Sequence, residues 1–95
     1  MQVKIRFFTS LREVTGKKEQ TLTFPPTAHA TVDLALKMLS KEYGKPFTEY
    51  VYDVKTGLPK GFLQFLVNGS ACARGLETEL CEGDVLAILP PVGGG

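Results

Sequence analysis

The sequence predicts an α+β domain in which a mixed sheet of four or five strands packs on one main helix. Apolar and polar residues alternate over residues 3–8 and 19–24, which is the period of a half-buried strand. Apolar residues then recur at helical spacing over residues 31–43, and strand-like segments return at 62–67 and 85–89. The 95 residues suffice for one domain, which we expect to span residues 1–91 and to be followed by a flexible glycine tail at 92–95.

Local signals mark the ends of the first elements. After the first strand, Ser10 and Glu13 stand at the spacing of a capping box, and Gly16 is a suitable end for one or two helical turns. The second strand ends at Pro25 and Pro26, because neither proline can donate a hydrogen bond to a strand ladder.

The main helix has an identifiable start and end. Thr31 is a favourable N-cap, and Gly44 followed by Pro46 closes the helix. Its apolar stripe consists of Val32, Ala35, Leu36, Leu39 and Tyr43. We therefore expect this stripe to form the helix side of the core.

The second half of the chain is less regular. The sequence FTEYVYD can form a short helix, and TGLPKG is rich in turn residues. Residues 62–67 predict a strand, and Asn68-Gly69 suits the type I′ turn of a tight hairpin that returns over 70–73. A single turn in LETEL and a turn at Glu82-Gly83-Asp84 lead to the last strand.

The last strand, VLAIL, has no polar residue on either face. A strand that is apolar on both faces is covered on both, so we place it centrally, beside the first strand. One face meets the helix. The other carries Leu86 or Val85, depending on register, together with Phe8, and is covered either by residues 45–60 or by a partner protein.

Composition excludes several classes of function. With 11 basic and 10 acidic residues the net charge is +1, which does not favour binding to nucleic acid or to an anionic membrane. No apolar run approaches the roughly 18 residues of a membrane span, and MQVKIRFF is not a signal peptide, so we expect a cytoplasmic protein. Cys72 and Cys81 are expected to be partly buried free thiols, and His29 an exposed loop residue, so we predict no metal site.

The segment LVNG…ARGLETELCEGDVLAILPPVGGG resembles the MoaD group of sulfur carriers, the small subunit of molybdopterin synthase, within the ubiquitin-like MoaD/ThiS family. The resemblance implies a β-grasp fold. VKIRFFTSLREVTG is similar to the same group's first strand and short helix. The resemblance is good over residues 1–24 and 62–95 and loose over 45–61. This sequence differs from the group's pattern at Gly93, where the group often has serine or alanine. Its motifs here are Val67-Asn68, Gly83-Asp84, residues 85–89, Pro90-Pro91-Val92 and Gly94-Gly95.

The resemblance also implies a chemistry. The carboxylate of Gly95 would be adenylated with ATP by a separate E1-like (MoeB/ThiF-like) enzyme and then converted to a thiocarboxylate. Gly93 and Gly94 would thread the terminus into that enzyme, since glycine has the smallest cross-section. The sulfur would be used within a complex with the large (MoaE-like) subunit, for molybdenum cofactor biosynthesis. The chain itself would bind no cofactor and would have no catalytic site in its body.

The predicted partner interface joins the apolar sheet face to a stiff exit from the last strand. Its residues are Phe8, Leu86, Ile88, Pro90, Pro91 and Val92. Three alternatives stay open: a ubiquitin-like modifier that is conjugated to lysines of target proteins, a sulfur carrier of the thiamine pathway, and a β-grasp binding module whose tail is incidental.

Overall fold

The computed structural model describes residues 1–90. Residues 91–95 lie outside the described residues, so the predicted tail at 92–95 and the predicted domain end at residue 91 are not addressed by it.

Residues 1–90 form a mixed sheet of five strands in the order β2-β1-β5-β3-β4, as the alternation pattern predicts. The last strand, β5, lies at the centre, parallel to β1 and antiparallel to β3. The central position predicted for the apolar VLAIL segment is therefore confirmed. The strands are β1 (Gln2–Phe7), β2 (Glu19–Thr23), β3 (Gln64–Val67), β4 (Ser70–Ala71) and β5 (Val85–Leu89).

Three α-helices connect the strands within residues 1–90: α1 (Ser10–Thr15), α2 (Val32–Tyr43) and α3 (Lys45–Val51). The main helix, α2, begins as predicted, with the Leu34 N–H donating to Thr31 Oγ1 at 3.1 Å. It ends at Gly44, whose φ of 71° is readily adopted only by glycine. The short helix predicted within residues 45–60 is confirmed as α3.

Several local predictions need correction. The capping box at Ser10 and Glu13 is wrong, because the N-cap of α1 is Thr9 and its side chain makes no capping hydrogen bond. Residues 62 and 63 precede β3, and β4 is shorter than predicted. The single turn expected in LETEL is a 3₁₀ turn that begins one residue earlier, at Gly75–Glu77.

One core lies between the sheet and the helices. Four residues of the predicted helix stripe are buried there, and Tyr43 is half-buried at its edge. Helix α3 adds Phe47 and Val51, and the rings of Phe47 and Tyr43 stack with centroids 6.2 Å apart. Since α3 packs against α1 and α2, the 45–51 segment joins the helix layer and does not cover the other face of the sheet.

Candidate functional site

The alternation of β5 decides which of its side chains a partner can reach. Leu86 and Ile88 are both 0 % exposed and point into the core. Their assignment to a partner interface is therefore wrong: two positions apart in a period-2 strand, they share one face, and their burial shows that it is the face turned to the core. The outward positions are Val85, Ala87 and Leu89, which are half-buried.

Register with the neighbouring strands assembles a surface around these residues, which we call the open sheet face. On one side β1 places Lys4 opposite Val85 and Arg6 opposite Ala87. On the other side β3 places Leu66 opposite Ala87. The result is an apolar centre with Lys4 and Arg6 along one flank, where Lys4 Nζ lies 3.4 Å from an oxygen of Glu19. The open sheet face consists of Lys4 and Arg6 on β1, Gln64 and Leu66 on β3, and Val85, Ala87 and Leu89 on β5.

Phe8 lies at the end of β1, where it is half-buried. The guanidinium carbons of Arg6 and Arg12 each lie 5.5 Å from the centroid of its ring, within cation–π distance. Arg12 is further held by a hydrogen bond from its Nε to the Phe7 carbonyl at 3.0 Å. The predicted contact residue Phe8 is thus accessible, in a locally positive setting that the sequence pattern did not indicate.

The exit from β5, where the chain leaves the last strand, lies at the same end of the strands as Phe8. Because β1 and β5 run parallel with Phe7 opposite Ile88, the residues after Phe7 and after Ile88 leave the sheet side by side. Pro90, half-buried, directly follows β5. The other predicted site residues, Pro91, Val92, Gly93, Gly94 and Gly95, lie outside the described residues.

A side-chain cross-link holds the start of β5. Asn68 Nδ2 donates to Asp84 Oδ1 at 2.9 Å, and Asn68 Oδ1 accepts from the Val85 N–H at 3.0 Å. Asp84 Oδ2 accepts from the Cys81 N–H at 2.8 Å. Asn68 and Gly69 both have positive φ, 52° and 82°, as the predicted type I′ turn requires. The hairpin turn and the turn before β5 are therefore one hydrogen-bonded unit.

His29, Cys72 and Cys81 are the side chains outside the open sheet face that the sequence offers as candidates for chemistry. His29 is exposed, as predicted, with its Nε2 3.3 Å from a carboxylate oxygen of Glu79. Both thiols are free; Cys72 is half-buried, but Cys81 is exposed, so the expectation of partial burial fails for Cys81. Within residues 1–90 the structure shows no group of three or more side chains placed to hold a metal ion. None of the helices in these residues is long and apolar enough to span a membrane.

Comparison with known proteins identifies the family. The model of the ThiS family matches residues 5–95. The chain belongs to the ThiS family. Its relatives include the small archaeal modifier protein 3 of Haloferax volcanii, 33 % identical over 97 residues and covering 100 % of both chains. Another is the molybdopterin synthase sulfur carrier subunit of Chlamydomonas reinhardtii, 33 % identical over 95 residues and again covering 100 % of both chains.

Structural comparison confirms the β-grasp, ubiquitin-like fold of this ThiS family member. The crystal structure of SAMP1 from Haloferax volcanii matches it with a TM-score of 0.82 and 31 % identity, covering 100 % of both chains. The resemblance to the MoaD/ThiS family is thereby confirmed, and the chain is a ubiquitin-like member of a family of sulfur carriers and modifiers.

Sequence reasoning missed part of the site. Lys4, Arg6 and Leu66 were not among the predicted contact residues, although the period-2 alternation already placed Lys4 and Arg6 on the face opposite Val3, Ile5 and Phe7. The bond between Asn68 and Asp84 joins residues 16 positions apart, and no local pattern signals it.

Proposed function

We propose that the chain is a sulfur carrier that acts through the carboxylate of Gly95. The single observation that carries this is the continuity of the chain: the central strand of a ThiS-family fold ends at Leu89 and leads directly into PPVGGG. A glycine end is small enough to enter an enclosed nucleotide site and adds no side chain that must be accommodated.

The proposed chemistry has two steps, both within an E1-like enzyme. A carboxylate oxygen of Gly95 attacks the α-phosphorus of ATP, and pyrophosphate leaves. A hydrosulfide ion, HS⁻, then attacks the acyl carbon of the adenylate, and AMP leaves with the electron pair of the broken C–O bond. The product is a C-terminal thiocarboxylate. The chain contributes the acyl group and the docking surface, and ATP is a substrate of the activating enzyme.

The open sheet face is the proposed docking surface for this enzyme and for the acceptor enzyme. It supplies an apolar centre of Val85, Ala87, Leu89 and Leu66 next to the exit from β5. Burying apolar surface contributes about 25 cal/mol per Å², which offsets the entropy lost when the glycines are ordered, about 1–2 kcal/mol per residue. On the β1 flank Lys4 is paired with Glu19 at 3.4 Å, so Arg6 is the basic group there that favours a partner with an acidic residue at the matching rim.

For the acceptor, we propose a molybdopterin precursor bound by the large (MoaE-like) subunit of molybdopterin synthase. The relative named as a sulfur carrier subunit of that synthase supports this reading. The relative named as a small archaeal modifier protein, equally similar at 33 % identity, supports a second function: conjugation of the Gly95 carbonyl to lysine side chains of target proteins. Both functions share the adenylation step, so the tail does not distinguish them.

Mass spectrometry tests the shared step. The protein is expressed in its own host with an unmodified C-terminus, and its intact mass is measured under denaturing conditions. We expect a species heavier by the difference between sulfur and oxygen, absent from a variant that lacks Gly95. Because the deletion removes none of the described strand or core residues, we expect it to leave the unfolding midpoint unchanged. A reconstituted synthase that remains active with the Gly95 deletion would contradict the proposal.

Immunoblotting distinguishes the two acceptors. An N-terminally tagged chain should give ladders of higher mass only if it is a modifier, and the Gly95 deletion is the matched negative control. Sulfur transfer to a molybdopterin precursor in the presence of the large subunit, without such ladders, supports the carrier. Ladders without sulfur transfer overturn the carrier in favour of the modifier.

A further inference from the structure

A second surface lies on the helix side of the domain, between α2 and the turn that follows α3. It is a groove of about 660 Å³, within the size range of sites that accept small molecules or side chains. Asp33 and Lys37 of α2 form one wall, and Tyr52, Val54 and Leu58 form the other. We call this surface the helix-side groove.

The edge of the groove presents apolar side chains to solvent. Val54 is 95 % exposed and Leu58 is 58 % exposed. The turn that carries them is nevertheless well formed: the Gly57 N–H donates to the Asp53 carbonyl at 2.8 Å, and the Asp53 N–H donates to the Leu58 carbonyl at 2.8 Å. Lys55 N–H also donates to Asp53 Oδ1 at 2.8 Å. A preformed turn that holds apolar groups in water is typical of an interaction site.

Among the residues that line the groove, acidic side chains outnumber basic ones. The carboxylates of Asp33, Glu49 and Asp53 line it together with one ammonium group, that of Lys37. Lys37 Nζ already lies 2.9 Å from an Asp33 oxygen, so its charge is balanced locally. Lys55 belongs to the same turn, and Lys60 Nζ donates to the backbone carbonyl of Glu49 at 2.9 Å, but neither lysine lines the groove. The lining itself is therefore net negative, which favours a ligand with basic groups.

The helix-side groove and the open sheet face lie on opposite sides of the domain. Asp33 and Lys37 lie on the solvent side of α2, while Ala35 and Leu36 of the same helix are buried against the sheet. The open sheet face is the surface of that sheet turned away from α2. A protein bound in the groove would thus leave the open sheet face and the exit from β5 accessible.

We propose that the helix-side groove binds a short segment of a partner protein in which aliphatic side chains adjoin lysine or arginine. The aliphatic groups pack on Val54, Leu58 and Leu76, and the basic groups face Asp53 and Glu49. This surface is independent of the chemistry at Gly95. It lets one protein hold the domain while another processes its C-terminus.

NMR titration of the isotope-labelled full chain tests the proposal. The probe is a short synthetic peptide with two leucines flanked by arginine and lysine, and its control has glutamate in place of each basic residue. We expect shifts that centre on the groove and an affinity for the basic peptide at least about tenfold higher, or about 1.4 kcal/mol. Equal binding of both peptides, shifts centred on the open sheet face, or no shifts at millimolar peptide overturns the proposal.

Two variants, one in the helix-side groove and one on the open sheet face, show where the peptide binds. Val54→Ser combined with Leu58→Ser removes exposed side chains, so the fold should survive while peptide affinity falls at least about tenfold. Leu66→Ser, on the open sheet face, should bind the peptide like the unchanged chain. If the double variant retains full affinity, the proposal is wrong. Groove shifts that depend on protein concentration alone would identify a second copy of the chain as the occupant and also overturn it.

Discussion

The Asn68 side-chain amide and the Asp84 carboxylate are joined by a 2.9 Å hydrogen bond, which ties the β3–β4 hairpin turn to the turn before β5. Both residues belong to the motifs by which the sequence resembles sulfur carriers. The same amide accepts from the Val85 N–H, the first residue of β5. The paired motifs therefore position the strand that leads into the C-terminal segment.

Replacing Asn68 by glycine should destabilise the domain. Asn68→Gly tolerates the positive φ of 52° but loses both side-chain hydrogen bonds, which we expect to cost about 1 kcal/mol because the site is exposed. Urea unfolding measures this change. In a double-mutant cycle with Asp84→Ala, the two losses should be less than additive, because each variant removes the same bond. Strictly additive losses would show that the bond does not contribute to stability.

The two faces of β5 should respond differently to charge. Leu86→Asp and Ile88→Asp should each unfold the domain, since each places a carboxylate in the core. The milder Leu86→Ala should cost about 2–5 kcal/mol. Ala87→Asp, on the open sheet face next to Arg6, should change stability by less than about 1 kcal/mol and weaken binding to the activating enzyme. Circular dichroism and a binding assay separate these outcomes, and a folded Ile88→Asp variant would contradict the assignment of faces.

As the N-cap of α2, Thr31 should stabilise the folded domain by about 1 kcal/mol, because its hydroxyl oxygen accepts a hydrogen bond from the Leu34 N–H at 3.1 Å. Thr31→Ala removes that acceptor, whereas Thr31→Ser keeps it. Chemical denaturation should therefore show a clear loss for alanine and a small one for serine. Equal losses would mean that the threonine methyl group, and not the cap, provides the stability.

Stability should fall at alkaline pH because of two tyrosines. Burial raises the pKa of Tyr52 and of Tyr43 above the ordinary value of about 10. Each phenol therefore stays protonated to a higher pH in the folded chain than in the unfolded one. Its contribution to the free energy of unfolding is complete below the pKa of the unfolded state and is lost as pH rises through the pKa of the folded state. Urea unfolding at increasing pH, with phenolate absorbance recorded in parallel, measures this loss.

Tyr52→Phe should reduce that alkaline loss with little effect at neutral pH. The Tyr52 hydroxyl is buried and has no hydrogen-bond partner within residues 1–90. The hydroxyl of Ser40 lies nearby and acts to lower the pKa of Tyr52. Its own hydrogen is donated to the Leu36 carbonyl at 2.8 Å. Removing an unsatisfied hydroxyl leaves no broken partner behind. A large loss of stability at pH 7 would reveal a bond that this geometry lacks.

Much of the fold follows from sequence pattern alone. The kind and order of the elements, the Thr31 cap and the central place of VLAIL depend on local signals: alternation, helical spacing, capping residues and turn residues. The predictions that failed also concern local features of the chain. Ser10 and Glu13 have the spacing of a capping box, but the chain enters α1 through Thr9 with a φ of 45°, which a spacing pattern does not report.

The order of residues alone shows an apolar strand that leads into a Pro-Pro-Val-Gly-Gly-Gly segment, and this combination is what makes the chain resemble its family. Which face of that strand a partner can reach depends instead on how the strand pairs with its neighbours. In VLAIL both sets of alternate residues are apolar, so composition cannot orient the strand, and a shift of one residue would exchange its faces. The pairing of Ile5 with Leu86 and of Phe7 with Ile88 turns those two residues into the core and leaves Val85, Ala87 and Leu89 outward.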